Sequence, residues 1–257
     1  MKQVWATIVS NSEIIPSHHL LCLEAPDIAA DADAGQFITI KCGDSLILRR
    51  PISIHQVTDS GYLLLFFQVV GQGTLWLSQR QKGERLDLLG PLGNNFTIEP
   101  ASRNLLLVAG GIGIAPLAFL AQQALKQNKS PRLLLGARTK ELLYPTEYLP
   151  PGMEVLVTTE DGSYGTKGMA TDILYRHLNW ADQILACGPK AMYQTIASLM
   201  QQQPARRPVQ VSLEVRMGCG LGACFSCSIK TRYGMKQVCK DGPVFNLEEI
   251  LWQEVKI

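Results

Sequence analysis

The sequence predicts an N-terminal antiparallel β-barrel, then an α/β domain on a doubly wound parallel sheet, then a small cysteine-rich module at the C-terminus. Three observations carry this. Short β-forming runs recur through the first hundred residues, apolar strands alternate with helical patterns after Pro100, and four of the seven cysteines fall within the last forty residues.

The barrel rests on the runs Val4–Ser10, His19–Ala25, Gln36–Cys42, Pro51–His55 and Tyr62–Val70, all rich in branched and aromatic residues. Turn residues such as Asp59, Ser60 and Gly61 punctuate them. Several short strands at this spacing indicate a small barrel or sandwich, assigned to residues 1–99.

Residues 100–214 change pattern. Leu105–Gly111, Arg132–Ala137, Glu154–Thr159 and Gln183–Gly188 are short, nearly continuous apolar runs, as in strands covered on both faces. Helical patterns separate some of them, from Pro116 to about Gln127 and, after the last run, from Ala191 to Gln203, where Met192, Ile196, Leu199 and Met200 share a face. Such alternation indicates a parallel sheet. The uncharged stretch Leu105–Ala121 is nearly long enough for a bilayer, but Gly110, Gly111, Gly113 and Pro116 interrupt it, so strand, turn and helix are expected instead of a membrane span.

Composition excludes other classes. The 257 residues are 46% hydrophobic and 18% charged, which suits a packed core and not disorder. The net charge of +2 and the absence of a long basic run give no reason to expect nucleic acid, and Arg206 with Arg207 reads as solvated surface. The N-terminus turns polar too soon for a signal peptide. The odd, clustered cysteines argue against a disulfide framework and for a metal or cluster site in a reducing cytoplasm.

The C-terminal module, residues 215–257, has little room for a core of its own, and a segment this small usually needs a metal. Cys219-x4-Cys224-x2-Cys227, then Cys239, opens with the ligand spacing of plant-type [2Fe–2S] proteins. Each iron needs two thiolates. A loop wrapped round such a cluster also turns N–H groups toward sulfur, and Gly218, Gly220 and Gly222 permit the tight, left-handed backbone required. Structural zinc, the alternative, usually pairs two Cys-x2-Cys knuckles, and only one is present. Cys22 and Cys42 sit in strand-like runs and read as buried hydrophobes.

Between strand and helix lies Gly110-Gly111-Ile112-Gly113-Ile114-Ala115-Pro116, a glycine turn that offers N–H groups and a positive helix end to a phosphate. Pro116 suits the first helical turn. Cys187-Gly188-Pro189 ends the last strand and is expected to face the same crevice. Its thiol could lie against a nicotinamide, or be a plain buried cysteine. In Arg50-Pro51-Ile52-Ser53, preceded by Arg49, an arginine and a hydroxyl three residues on could grip a pyrophosphate and a ring edge. Gly71-Gln72-Gly73-Thr74, before a helix expected at Leu75–Gln79, is a second possible phosphate turn.

The order of these motifs, with Gly90-Pro91-Leu92-Gly93 between them, resembles the ferredoxin–NADP reductase superfamily. The stretch from Glu214 to Cys227 and the one from Cys239 to Phe245 narrow the resemblance to the electron-transfer subunits of type B, NAD-dependent dihydroorotate dehydrogenase, and Asp161–Gly168 fits them too. The resemblance implies FAD in the barrel, NAD(H) on the sheet domain and a [2Fe–2S] module. It implies that Arg50, Pro51, Ile52, Ser53, Phe66, Phe67, Gln68, Gly73 and Thr74 hold FAD. Family members often carry an aromatic–Arg pair where Phe67 and Gln68 stand. It further implies a cytoplasmic complex with a catalytic subunit that carries FMN and oxidises dihydroorotate in pyrimidine (UMP) biosynthesis, two of each chain.

The expected chemistry is a relay. NADH gives hydride to FAD, which passes electrons singly to the cluster and on to or from the partner's flavin. No acid–base residue or nucleophilic triad is expected, and His18, His19, His55 and His177 read as surface or structural. NADH is expected over NADPH by analogy, while Arg138 and Thr139, after the second strand of the sheet domain, leave room for a 2′-phosphate. Two alternatives stand beside this reading: a reductase subunit of another complex (hydrogenase, sulfite reductase or transhydrogenase type), and a zinc-stabilised nucleotide-binding module without redox chemistry.

Overall fold

The computed structural model describes residues 1–204 and 207–255. Arg206 and the last two residues of the C-terminal module lie outside the described residues.

Strands β1 (Lys2–Ile15), β2 (His18–Glu24), β3 (Phe37–Ile40), β4 (Arg50–Val57), β5 (Tyr62–Gln68) and β6 (Arg85–Leu92) close into an antiparallel barrel in the order β1-β2-β5-β4-β3-β6. Alternation drives the closure: Leu21 and Leu23, Leu63 and Leu65, and Leu86 and Leu88 recur at every second position and are buried inside. Helix α1 (Pro26–Ala29) leads toward β3, and α2 (Gln72–Ser78) follows β5. α2 begins three residues before the expected Leu75. The Thr74 hydroxyl accepts the Val70 and Gly71 N–H groups at 2.9 and 3.2 Å and so closes the first turn.

The second domain carries β7 (Asn104–Gly110), β8 (Ser130–Ala137), β9 (Glu154–Thr159), β10 (Thr166–Lys167), β11 (Gln183–Cys187) and β12 (Val209–Ser212), all parallel, in the order β10-β9-β8-β7-β11-β12. Helices α3 (Ile114–Lys126), α4 (Ala170–Leu174) and α5 (Lys190–Gln201) connect them. The uncharged stretch Leu105–Ala121 folds as β7, a turn and α3. Among the described residues no helix is long and apolar enough to cross a membrane.

The C-terminal segment forms a hairpin, β13 (Ser228–Thr231) with β14 (Gly234–Gln237), a short helix α6 (Val238–Asp241), and β15 (Val244–Asn246). β15 pairs antiparallel with β12, Phe245 opposite Val211, and so extends the sheet of the second domain. The segment does not stand on metal alone, because Ile229, Val238 and Phe245 share a buried core with Leu106 and Ile184. Asn94, at the barrel exit, locks this end in place. Its Nδ2 donates to the Val244 carbonyl at 2.8 Å, and its Oδ1 accepts the Val244 N–H at 2.9 Å.

The four histidines are tied into the fold. His18 contacts the Pro16 carbonyl at 2.7 Å, His19 lies 3.2 Å from Asn11, His177 accepts from Arg132 at 3.2 Å, and His55 is fully buried.

Candidate functional site

β7 and β11 are sheet neighbours, so the turns that follow them emerge side by side at the carboxyl edge. Gly110–Gly113 and Cys187–Pro189 meet there. A β-carbon on Gly110 would lie 2.8 Å from the Pro189 ring, and one on Gly113 would collide with the Cys187 carbonyl. Gly111 has φ +54° with open space beside it, the left-handed conformation that suits glycine. Pro116 is buried in the first turn of α3.

A cleft of about 250 Å³ opens between this edge and the barrel. Pro51, Ile52, Ser53, Phe66, Phe67, Gln68 and Thr74 line it from the barrel. Ile112 and Ala115 line it from the glycine turn and α3, while Ser212–Val215, Met217 and Pro243 close the third side. Arg50 adjoins it through Gly73, where a β-carbon would collide with the guanidinium Nε. Arg49, its neighbour, pairs instead with Asp87 of β6 at 2.5 Å. His18 and His19 stack behind Phe66 and Phe67, with ring centres 5.6 and 5.5 Å apart. An aromatic and hydroxyl-bearing wall with one arginine at its rim has the chemistry that a flat ring carrying a pyrophosphate requires. Gln68 stands exposed where the resemblance expects an arginine.

Glu214 makes one side of the cleft polar, and the Cys187 side chain lies behind it, fully buried and not in the cleft lining. The Cys187 sulfur lies 3.9 Å from the Glu214 carboxylate. Burial, then the Glu214 charge, pushes the Cys187 thiol far up, so it is neutral. Glu214 opens onto the cleft yet is walled by protein, and that burial raises its own carboxyl. Below them the Tyr193 hydroxyl accepts the Gly188 N–H at 2.9 Å and donates to the Ser212 carbonyl at 2.6 Å. The sequence reading singled out neither Glu214 nor Tyr193 as a site residue. The signal for Glu214 was its place just beyond the strand that flanks β11; Tyr193 left none, being one apolar-face residue of a helix.

The cysteine loop follows directly from Met217. Backbone N–H groups of Leu221 and Ala223 point at the Cys219 sulfur, both at 3.3 Å, and that of Gly222 at the Cys239 sulfur, at 3.1 Å. The Cys239 N–H points at Cys227, at 3.4 Å. Gly220 and Gly222 are left-handed, as is Phe225. Gly218 is not left-handed; it is small because a β-carbon there would sit 3.0 Å from the Cys224 sulfur. The Ser226 hydroxyl, 3.2 Å from that sulfur, holds the Cys224 thiol down at about 6. Burial, then the neighbouring Cys227, pushes Cys239 up to about 12. The Cys219 N–H points at the Cys224 sulfur, at 3.4 Å, as that of Cys239 does at Cys227, so the four residues contact one another as two pairs, Cys219 with Cys224 and Cys227 with Cys239. Among the described residues no three ligand-type side chains converge on one ion position. Two pairs of thiols fit two irons with two thiolates each. Of the remaining cysteines, Cys42 is buried as expected, whereas Cys22 is only half-buried.

Comparison with known proteins agrees with this geometry. Residues 214–251 match the family model for the iron–sulfur cluster binding domain of dihydroorotate dehydrogenase B, and residues 107–198 that for the oxidoreductase NAD-binding domain. The dihydroorotate dehydrogenase B (NAD(+)) electron transfer subunit of Desulforamulus reducens is 39% identical over 96% of this chain and 98% of its own. That of Geobacillus thermodenitrificans is 39% identical over 95% and 97%. A chain of the NADH-dependent reduced ferredoxin–NADP oxidoreductase, studied for flavin-based electron bifurcation, superposes with a TM-score of 0.87 at 32% identity, over 96% of this chain and 90% of that one. These similarities run through barrel, sheet and cysteine module alike, and the chain belongs to the family of dihydroorotate dehydrogenase B (NAD(+)) electron transfer subunits.

Proposed function

We propose that the chain binds FAD on barrel residues 1–99, NAD(H) on residues 100–214 and a [2Fe–2S] cluster on residues 215–257, and that it links NAD(H) to a dihydroorotate-oxidising subunit carrying FMN. The working unit would be a cytoplasmic complex with two of each chain, serving pyrimidine biosynthesis. The observation that carries this reading is the shape of the cleft: nucleotide turn on one side, Ser53 and Phe66 on another, and on the third the segment Ser212–Met217, which runs directly into Cys219.

Bound FAD supplies the conversion between a two-electron hydride and a one-electron cluster. The chain positions the participants. Arg50 offers charge to the pyrophosphate, and Pro51, Ile52, Ser53, Phe66, Phe67, Gln68, Gly73 and Thr74 shape the wall. The Thr74 hydroxyl is committed to the α2 turn, so Thr74 contributes shape and an ordered helix start. Gly110, Gly111, Gly113 and Pro116 present the phosphate turn, and Cys187, Gly188 and Pro189 form the ledge beside it. The Cys187 thiol is fully buried and neutral, a packed side chain behind Glu214 that supports the ledge and does not reach the cleft. Cys219, Cys224, Cys227 and Cys239 hold the irons, with loop N–H groups directed at the sulfurs.

The test is anaerobic co-purification with a dihydroorotate dehydrogenase catalytic subunit, followed by iron, acid-labile sulfide and flavin analysis and an assay of dihydroorotate-dependent NAD⁺ reduction. Cofactors without turnover would favour a second reading, a reductase subunit of another complex, which the fit to the ferredoxin–NADP oxidoreductase chain supports. A protein with neither iron nor sulfide would end both.

A further inference from the structure

His55 is fully buried, and neither the flavin nor the nucleotide assignment uses it. On β4, Ile52 and Ile54 point into the barrel core, so Ser53 and His55 point out toward α3. Its Nδ1 lies 2.9 Å from the Ala115 carbonyl oxygen. A carbonyl only accepts, so Nδ1 carries the hydrogen. Its Nε2 lies 2.7 Å from the Tyr144 hydroxyl, which donates to the neutral ring. Tyr144 belongs to the segment that runs on from β8 past Arg138. Phe66 packs edge-on against Tyr144, with ring centres 4.9 Å apart, and Phe66 and Ala115 both line the cleft. One imidazole thus joins the flavin wall, the first turn of the nucleotide helix and the segment after β8.

The rest of α3 is held differently. Among the described residues its other hydrogen bonds to the barrel, Gln122 to the Val57 carbonyl at 2.8 Å, Gln123 to Ala34 and Asp33, and Lys126 to Asp59 at 2.9 Å, lie about two to three turns further along the helix. Apolar contacts fill the space between, and they are non-directional. The cleft end of α3 is pinned to the barrel by His55.

We propose that His55 is a positioning residue: through the Ala115 carbonyl it sets the spacing between the flavin wall and the Gly110–Gly113 turn, and with it the approach of the nicotinamide to the flavin. This rests on the assignment of the cleft to FAD and of the turn to NAD(H). Hydride transfer is sensitive to such spacing, since a misplacement of about 1 Å can cost about a hundredfold in rate.

Three variants of the flavin-loaded chain test it. His55→Asn keeps a donor close to the Nδ1 position, His55→Phe keeps ring volume without polar atoms, and Tyr144→Phe removes one hydroxyl. Two readouts are taken: the rate at which NADH bleaches bound flavin, and hydrogen exchange of the amides of residues 114–119 without nucleotide. For His55→Phe, bleaching should slow about tenfold and the helix start should exchange faster, at unchanged flavin content and dithionite reduction. Tyr144→Phe should slow bleaching about threefold, and His55→Asn should stay within about twofold of the parent. Parent-like bleaching in His55→Phe overturns the proposal. So does equal slowing in His55→Asn and His55→Phe, which would mark a purely structural ring. If His55→Phe does not fold, parent-like bleaching and exchange in Tyr144→Phe overturn it instead. A parent chain whose flavin NADH does not bleach refutes the cofactor assignment itself, a different result from all of these.

Discussion

Gly113 and Cys187 meet backbone to backbone: a β-carbon on Gly113 would fall on the Cys187 carbonyl, with the Gly188 nitrogen 2.8 Å away. The two turns of the nucleotide crevice are therefore braced against each other across neighbouring strands. Close approach, not an unusual φ, is what requires glycine there.

Gly113→Ala should push the turn off β11 and cost about 2–3 kcal/mol, with a large rise in KM for NADH. Gly111→Ala meets no neighbour, and its φ of +54° should cost only about 1 kcal/mol. Thermal melts and NADH titrations of the two variants measure the difference, and equal losses would refute the close-approach argument.

Arg49 and Arg50 should separate into stability and cofactor binding. Burial raises the Asp87 carboxyl, but hydrogen bonds from Arg49 and Gln3 outweigh that and hold it below the usual range. Arg49→Gln leaves that carboxylate half-satisfied and should cost about 2 kcal/mol of stability in denaturant melts. Arg50→Gln should leave the melt unchanged within about 0.5 kcal/mol and lower the FAD bound per chain.

Serine at Cys219, Cys224, Cys227 or Cys239 should each reduce iron from about two per chain toward zero, with loss of visible absorption beyond that of flavin. Cys22→Ser and Cys187→Ser should keep both irons. Iron and acid-labile sulfide assays on the set decide whether the two thiol pairs are the ligands.

Burial holds the His55 imidazole down at about 4, against an ordinary value of 6.5, despite the favourable Ala115 hydrogen bond. Between those values the unfolded chain binds a proton that the folded chain refuses. Stability supplied by neutral His55 is therefore complete above pH 6.5 and is lost as pH falls toward 4, amounting to about 3 kcal/mol at most. Denaturant melts from pH 7 to 4 on the parent and His55→Asn should show a shallower acid loss in the variant; parallel curves would exclude the mechanism.

The sequence by itself determined the parts and their order. Short runs rich in branched and aromatic residues, such as Tyr62–Val70, specify strands, the apolar run Leu105–Ala109 specifies a strand covered on both faces, and Gly110, Gly111 and Gly113 break it. These are local properties set by residue type and period. The spacing of Cys219, Cys224 and Cys227 was readable for the same reason: one short loop supplies three of the four thiols.

Only the tertiary structure decided what those parts share. β15 leaves the cysteine module to pair with β12, so the module takes its core from the sheet. Arg49 turns to Asp87 and leaves Arg50 at the cleft, a choice that adjacent residues of one type do not reveal. Glu214 meets Cys187, and His55 meets Ala115 and Tyr144, across separations of 27, 60 and 89 residues. Such contacts carry no period in the chain. They exist because burial has already fixed the strands that present them, and a buried polar atom must then find its partner wherever the fold supplies one.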